Sequence, residues 1–285
     1  MLIAAQKMQF FEHSAENKSA MKQDNKDKKG LYRQFVVLVI FLVGLAFRLV
    51  KLILDPLLLR DSITYLNQAD NWLRTNDFFQ SLNSEFPPIP VYTIKELTKL
   101  VYSTELAGRS LSLFLGSLIP VLAYFITLKL ARKEYVALAS AFLFVFNPKL
   151  IAYSIQPLRE NHYLFFQSLV FLFMVDGIKS GRMIQWFMTG CFIVFAVYCR
   201  FEALENILIL SFILFFMVLR KKLTIRKMSC ELCSVMLGIC VSFCVLLPTI
   251  NYDVHFFSRL LRYKNDLIQK YDFENSVYDY SEISQ

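Results

Sequence analysis

The sequence has few cysteines, and its long polar stretches have none. Six cysteines occur in 285 residues, and all lie within or at the ends of apolar segments. A disulfide framework needs cysteines in the loops that it joins, so we predict none here. Cys230 and Cys233 have the spacing of half a zinc site, but no second pair of cysteines or histidines lies nearby. We interpret them as small residues on a helix face.

The polar segments also lack a signal peptide and a nucleic-acid-binding face. The first thirty residues are polar and contain no short apolar core, so no signal peptide is predicted there. The net charge is +8, but the charges stand in short runs between apolar stretches. This distribution provides no basic face on a soluble module, and it excludes nucleic acid as a partner.

Apolar residues, in contrast, are in excess. Hydrophobic residues make up 56% of the chain and aromatic residues 15%, with 28 phenylalanines. A soluble domain of this size needs more polar surface, so the excess must face lipid. Runs of the length that a bilayer requires occur at 34–54, 106–130, 135–154, 162–178, 183–199, 203–219 and 230–250, the third broken at Asn147-Pro148. The sequence therefore predicts an all-α polytopic membrane protein with about seven transmembrane helices.

The chain divides into a polar tail at 1–33, a membrane module at 34–250 and a second polar tail at 251–285. Within the module, 55–105 has no run long enough to span a bilayer and forms the first loop. Two pieces of this loop, 61–73 and 91–101, have apolar residues at helical spacing. These residues are Ile63, Leu66, Ala69 and Leu73 in the first piece and Ile94, Leu97 and Val101 in the second. The periodicity predicts two amphipathic helices along the membrane surface.

Lysine and arginine collect in alternate connections between the apolar runs. They precede the first run and recur at 129–133, 179–182 and 220–227. Because cytoplasmic loops carry the excess of these residues, we expect a cytoplasmic N-terminus. The first loop, the turns at 156–161 and 200–202, and the C-terminal tail then face the outside.

Ionisable residues also gather at the predicted outer ends of the spans. They follow the first span, precede the fourth and precede the sixth: Arg60 and Asp61, Arg159, Glu160 and His162, Arg200 and Glu202. Such residues at membrane depth are costly and usually functional or paired. Each group also has a simpler interpretation, with Asp61 as a helix N-cap and the other two as solvated turns. A metal-ligand role for His162 is weaker still, because no partner histidine is close in sequence.

The order of these motifs resembles the N-terminal module of GT-C-type glycosyltransferases, in the branch of protein O-mannosyltransferases and aminoarabinose transferases. The matching features are Asp61 with Tyr65 and Ala69, Pro87-Pro88, the stretch from Glu105 to Arg109, Asn147-Pro148, Glu160, and the Arg200-Phe-Glu202 turn. The resemblance covers roughly residues 34–250 and implies a GT-C-like bundle with amphipathic juxtamembrane helices in its first outer loop. In one departure, Ser62 follows Asp61 where the family often has a second acid.

The resemblance implies an enzyme that moves a sugar from a polyprenyl-phosphate carrier to a lipid or protein acceptor, with inversion. The family has its base on the first loop, which points to Asp61 as the general base. Glu160 would face the same cavity, where it could orient the acceptor or help to hold a divalent cation such as Mg or Mn. Arg200 would bind the carrier phosphate, because arginine grips phosphate through its planar fork. Further phosphate candidates are Arg159, Lys95 and Lys99, and supporting residues are Tyr65, Glu202 and His162.

Two other functions remain open. A non-catalytic remnant or accessory subunit would bind a glycolipid or partner helices, and the missing second acid and the short segment after the last run favour it. A transporter would have internal repeats and ionisable groups near the midplane, and we find no convincing repeat. We expect the membrane to be a bacterial plasma membrane, with the endoplasmic reticulum as the alternative.

Overall fold

The computed structural model describes residues 30–75, 87–220 and 224–250, with side chains up to residue 246. These residues form ten α-helices, one short 3-10 helix and no β-strand. The α-helices are α1 (Gly30–Leu54), α2 (Arg60–Thr75), α3 (Pro88–Val101), α4 (Thr104–Ala131), α5 (Glu134–Val145), α6 (Pro148–Ser154), α7 (Arg159–Ser180), α8 (Met183–Val197), α9 (Glu205–Leu219) and α10 (Ile225–Ile250). The prediction of an all-α polytopic membrane protein is confirmed. The predicted tails lie outside the described residues, apart from 30–33, which form the first turn of α1.

Each of the predicted apolar runs is helical, but the helices differ in length. Five are long and apolar enough to cross a bilayer: α1, α4, α7, the stretch Phe201–Leu219 that contains α9, and Ile225–Leu246 of α10. The pair α5 and α6 is a sixth candidate, bent by 59°. Helix α8 has only 15 residues, fewer than the roughly 20 that a perpendicular span needs. Seven crossings therefore require that both the bent pair and this short helix span the bilayer.

The bend between α5 and α6 arises at Asn147-Pro148, as predicted. The side-chain oxygen of Asn147 accepts hydrogen bonds from the backbone N–H groups of Lys149 at 3.0 Å and Leu150 at 3.1 Å. Pro148 occupies the first position of the new helix, where its missing N–H has no helical partner to lose. One helix thus ends and another begins within a single apolar run.

Helices α8 and α10 pack backbone against backbone. A Cβ atom added at Gly190 would lie 2.1 Å from the carbonyl oxygen of Val235, and one at Gly238 would lie 2.1 Å from that of Phe187. In lipid, helices associate through small residues that let their backbones approach closely. The two glycines therefore determine how near these helices come.

Helices α2 and α3 are amphipathic as predicted, but their apolar faces contact protein. Tyr65, Leu66, Ala69 and Trp72 of α2 share a buried cluster with Val91 and Ile94 of α3, Ala107 of α4, and Leu158. Within the predicted stripe of α2, Leu66 and Ala69 are buried, whereas Ile63 and Leu73 are exposed, because the buried face is centred on Tyr65, Ala69 and Trp72. We call the end of the bundle that α2 and α3 cover the site end.

Candidate functional site

Asp61 is the second residue of α2, in its first turn. It therefore lies inside the helix, and the alternative interpretation of Asp61 as the N-cap residue is wrong. Its side chain is exposed, and the helix N-terminus favours a negative charge at this position. Asp61 thus presents a carboxylate at the surface of the site end.

Gln156 fixes the segment that leads into α2. Its side-chain oxygen accepts hydrogen bonds from the backbone N–H of Leu59 at 3.1 Å and the hydroxyl of Ser62 at 3.0 Å. Its amide nitrogen donates to the carbonyl of Leu57 at 2.7 Å. Gln156 is only 4% exposed, so losing these bonds would strand buried polar groups. This one side chain thus bonds three residues around the start of the helix that carries Asp61.

Arg109 and Asn161 extend the same network. Arg109 donates through Nε to Glu105 at 2.8 Å and through Nη2 to the carbonyl of Pro56 at 2.5 Å. The Nδ2 of Asn161 donates to the backbone carbonyls of Tyr153 at 2.8 Å and Gln156 at 2.9 Å. Arg109 thereby ties α4 to the segment before α2, and Asn161 ties α7 to the turn that contains Gln156. Gln156 and Asn161 are not among the predicted site residues, and their only signal in the sequence is their closeness to Glu160.

Tyr65 is a buried tyrosine of α2 whose pKa responds to several charged groups. Its side chain is 3% exposed, and burial raises the pKa of its phenol. The charge of Arg159 lowers this pKa, and the carboxylates of Glu160 and Asp61 raise it. Asp61 and Glu160, which come from different helices, thus both act on the same phenol through their charge.

Glu160 lies between two arginines. Its Oε1 is 3.5 Å from Nε of Arg159 and 3.7 Å from Nη1 of Arg200. Arg200 also donates to Glu202 at 2.9 Å, a bond that raises the pKa of Arg200. The guanidinium lies 5.6 Å from the ring centroid of Tyr163, a cation–π distance.

The guanidinium of Arg200 also has an unpaired donor. Its Nε is buried and has no hydrogen-bond partner among the described residues. A buried donor without a partner is costly, and a ligand oxygen at this position would relieve that cost.

Lys95 and Lys99, the two lysines predicted as phosphate candidates, differ from each other in burial. Lys95 is 8% exposed, and its ammonium lies 4.4 Å from the ring centroid of Trp72 and 3.3 Å from Glu96. Lys99 pairs with the same carboxylate at 2.8 Å, but its side chain is half exposed. Lys95 is therefore held within the contact between α2 and α3, whereas Lys99 lies at the surface.

His162 links α7 to α3. Its Nε2 lies 3.0 Å from the hydroxyl of Thr93, and its Nδ1 lies 3.4 Å from the carbonyl of Leu158. Both ring nitrogens thus have protein partners within the α3–α7 contact. No group of three His, Cys, Asp or Glu side chains that could hold a metal occurs within the ranges that the structure describes. The divalent cation stays a prediction.

Comparison with known families adds an independent observation to this geometry. Residues 85–248, more than half of the chain, match the model of the dolichyl-phosphate-mannose-protein mannosyltransferase family. The chain belongs to this family. Membership confirms the predicted resemblance to GT-C-type membrane glycosyltransferases. Members of this family use dolichyl-phosphate sugars as donors. The match includes Glu160 and Arg200 but begins after Asp61. No curated protein matches the chain.

Proposed function

We propose that this mannosyltransferase-family protein transfers a sugar from a polyprenyl-phosphate carrier to a hydroxyl acceptor at the site end of the bundle. The observation that carries the proposal is that Asp61, Glu160 and Arg200 lie at one end of an apolar helix bundle, with Glu160 beside Arg200. Such an arrangement suits an amphiphilic donor, whose phosphate and sugar lie at the end of the helices while its isoprenoid tail lies in lipid.

Asp61 is the proposed general base. Its exposed carboxylate accepts the proton of the acceptor hydroxyl as that oxygen attacks the anomeric carbon. The bond from this carbon to the carrier phosphate breaks, and the phosphate leaves with the bonding electrons. Because attack and departure occur on opposite faces, a single displacement inverts the anomeric centre. General-base catalysis of this kind contributes a factor of about 10² to 10⁴ to the rate.

Arg200 is the proposed partner of the carrier phosphate, and Glu160 positions it. Charge-assisted bonds from arginine to phosphate stabilise the charge that develops on the leaving group. The buried Nε of Arg200 supplies a donor for that purpose. Glu160, 3.7 Å from Arg200, orients the guanidinium and stands close enough to the site to orient the acceptor or a divalent cation.

The orientation of the protein is proposed from the charge distribution. The basic connections and the start of α1 lie at the end opposite to the site end, and such residues favour the cytoplasm. The site end then faces away from the cytoplasm, across a bacterial plasma membrane or the membrane of the endoplasmic reticulum. The tail 1–33 would be cytoplasmic and the tail 251–285 external.

The test is transfer by the purified protein in lipid nanodiscs, from a panel of polyprenyl-phosphate sugars that includes dolichyl-phosphate mannose. We expect turnover with at least one donor and a product of the opposite anomeric configuration, read by NMR. Product with retained configuration would contradict the single displacement.

The role of Arg200 is tested with the active donor. Arg200→Gln should raise the KM for that donor about tenfold, because the variant loses one hydrogen bond to a charged phosphate group. Arg220→Gln is the matched control, because Arg220 follows the last residue of α9, at the end of that helix far from Arg200. An unchanged KM in the Arg200 variant would exclude the phosphate role.

A non-catalytic carrier-binding subunit is the second candidate, and Ser62 is the observation that favours it. This residue stands where the family often has a second acid, and it is buried and bonded to Gln156. No acidic side chain follows Asp61 directly. Binding of the carrier without turnover from any donor in the panel would support this candidate over the enzyme.

A further inference from the structure

A basic pocket lies at the end of the bundle opposite to the site end. It has a volume of about 400 Å³ and is lined by Arg33, Phe125, Leu128, Lys129, Arg132 and Lys179. The start of α1, the last turn and C-cap of α4 and the last turn of α7 contribute its cations. None of these residues belongs to the proposed transfer site.

The pocket has more positive than negative charge. Lys129 pairs with Asp176 at 2.5 Å, and Arg33 pairs with Glu134 at 3.5 Å. Among the described residues, Arg132 and Lys179 form no ion pair. Four cations against two carboxylates leave an excess of two positive charges. Within the same ranges, the buried Nε of Arg33 also has no hydrogen-bond partner.

The apolar part of the lining indicates a lipid. Phe125 lies one helical turn deeper along α4 than Lys129, and Leu128 lies beside it. Leu130 is 59% exposed and Leu31 is 70% exposed, each within two residues of a lining residue and on a helix long enough to span a bilayer. A phosphate among the cations would therefore have its acyl chains against apolar side chains at the surface of the bundle. Basic pockets between transmembrane helices bind anionic lipid headgroups in this manner.

We infer that this pocket binds the phosphate headgroup of an anionic phospholipid in the leaflet opposite to the transfer site. The bound lipid bridges the ends of α1, α4 and α7, which no single side chain among the described residues connects at this position. Since the pocket exists only when these helices are assembled, the lipid binds the folded state and stabilises it.

The experiment measures the thermal stability of the full-length protein in detergent during titration with dioleoyl phosphatidic acid. Arg132→Gln combined with Lys179→Gln removes two cations without breaking either ion pair. Arg220→Gln combined with Arg226→Gln removes two cations from the same end of the bundle, outside the pocket. Phosphatidylcholine and inorganic phosphate serve as the neutral-lipid and water-soluble comparisons.

Phosphatidic acid should raise the melting temperature of the wild type and the Arg220/Arg226 variant by the same amount. Half-saturation in the Arg132/Lys179 variant should require roughly twenty-fivefold more lipid, because each surface cation that is removed weakens binding by a factor of about five. Equal titrations in the two double variants, or no shift in the wild type, would overturn the inference. A shift that inorganic phosphate reproduces at equal concentration would instead assign the pocket to a soluble anion. This readout does not depend on transfer activity.

Discussion

The contact between α8 and α10 and the network around Gln156 hold their helices in opposite ways. In the first, the helices touch through Gly190 and Gly238, and the nearest atoms are backbone atoms. In the second, the side chains of Gln156, Arg109 and Asn161 join helices and turns by hydrogen bonds to backbone carbonyls. We therefore expect added atoms to destabilise the α8–α10 contact most, and lost side-chain atoms to destabilise the Gln156 network most.

This difference follows from the surroundings of each region. Within lipid, apolar side chains gain little by leaving lipid for protein, so close backbone packing through small residues stabilises the contact. At the site end the chain turns repeatedly, and its backbone groups need polar partners that regular helices do not supply. The chemistry is proposed at the end where polar side chains already set the backbone.

The largest expected effect on stability comes from a methyl group in the glycine contact. Gly190→Ala should lower the free energy of unfolding by about 3 kcal/mol, because the added Cβ would overlap the backbone of Val235. The melting temperature in detergent is the measurement. Gly30→Ala is the matched control, since a Cβ at Gly30 meets nothing within 4 Å. Equal melting temperatures for the two variants would show that α10 can move aside.

A smaller and more local effect is expected from Gln156→Ala. This variant strands the polar groups of Leu57, Leu59 and Ser62 and should cost about 2 kcal/mol. Hydrogen exchange should accelerate in residues 57–62, while the α8–α10 contact should keep its protection. Gln167→Ala is the control, because Gln167 pairs with Asn206 away from this segment. If both variants leave the exchange of 57–62 unchanged, Gln156 does not fix the start of α2.

The smallest expected effect concerns Glu96 on α3. Hydrogen bonds from Lys99 and then Lys95 lower the pKa of this carboxyl from its ordinary value of 4.5. The ionised Glu96 therefore stabilises the folded protein fully at pH values above 4.5. This stabilisation is lost as the pH falls through the lower pKa of the folded state. Its size is below about 1 kcal/mol, because the pair is partly exposed to solvent.

This effect is measured as the melting-temperature difference between wild type and Glu96→Gln from about pH 6 to about pH 3. The wild type should lose its advantage towards the acidic end. A difference that stays constant over this range would mean that the ion pairs contribute nothing.

The features that depend on local sequence were predictable. Apolar runs set the helices, and Asn147-Pro148 set the break between α5 and α6. The order of the motifs along the chain was also enough to indicate the glycosyltransferase family, which the family match confirms.

The remaining features depend on partners far apart in the chain. Gln156 lies 97 residues from Leu59, which it bonds, and a lone glutamine in a turn has no pattern that reveals such a partner. The glycine contact is similar, because Gly190 and Gly238 stand in apolar runs without any local mark of which helix they meet. The surroundings of α2 and α3 were hidden for the same reason, since periodicity identifies an apolar face but not whether lipid or protein covers it.

The most direct test of the central claim is transfer by Asp61→Asn, assayed with the donor that the wild type uses. Asparagine keeps the shape of the side chain and removes the base, so the rate should fall at least about a hundredfold. The melting temperature should fall only slightly, because the lost charge at the helix N-terminus contributes about 0.3–1 kcal/mol. Asp70→Asn is the matched control on the same helix, where the carboxylate pairs with Arg74 at 2.8 Å, and it should transfer at nearly the wild-type rate. Wild-type transfer by Asp61→Asn would contradict the account, since the site would then take its base from elsewhere.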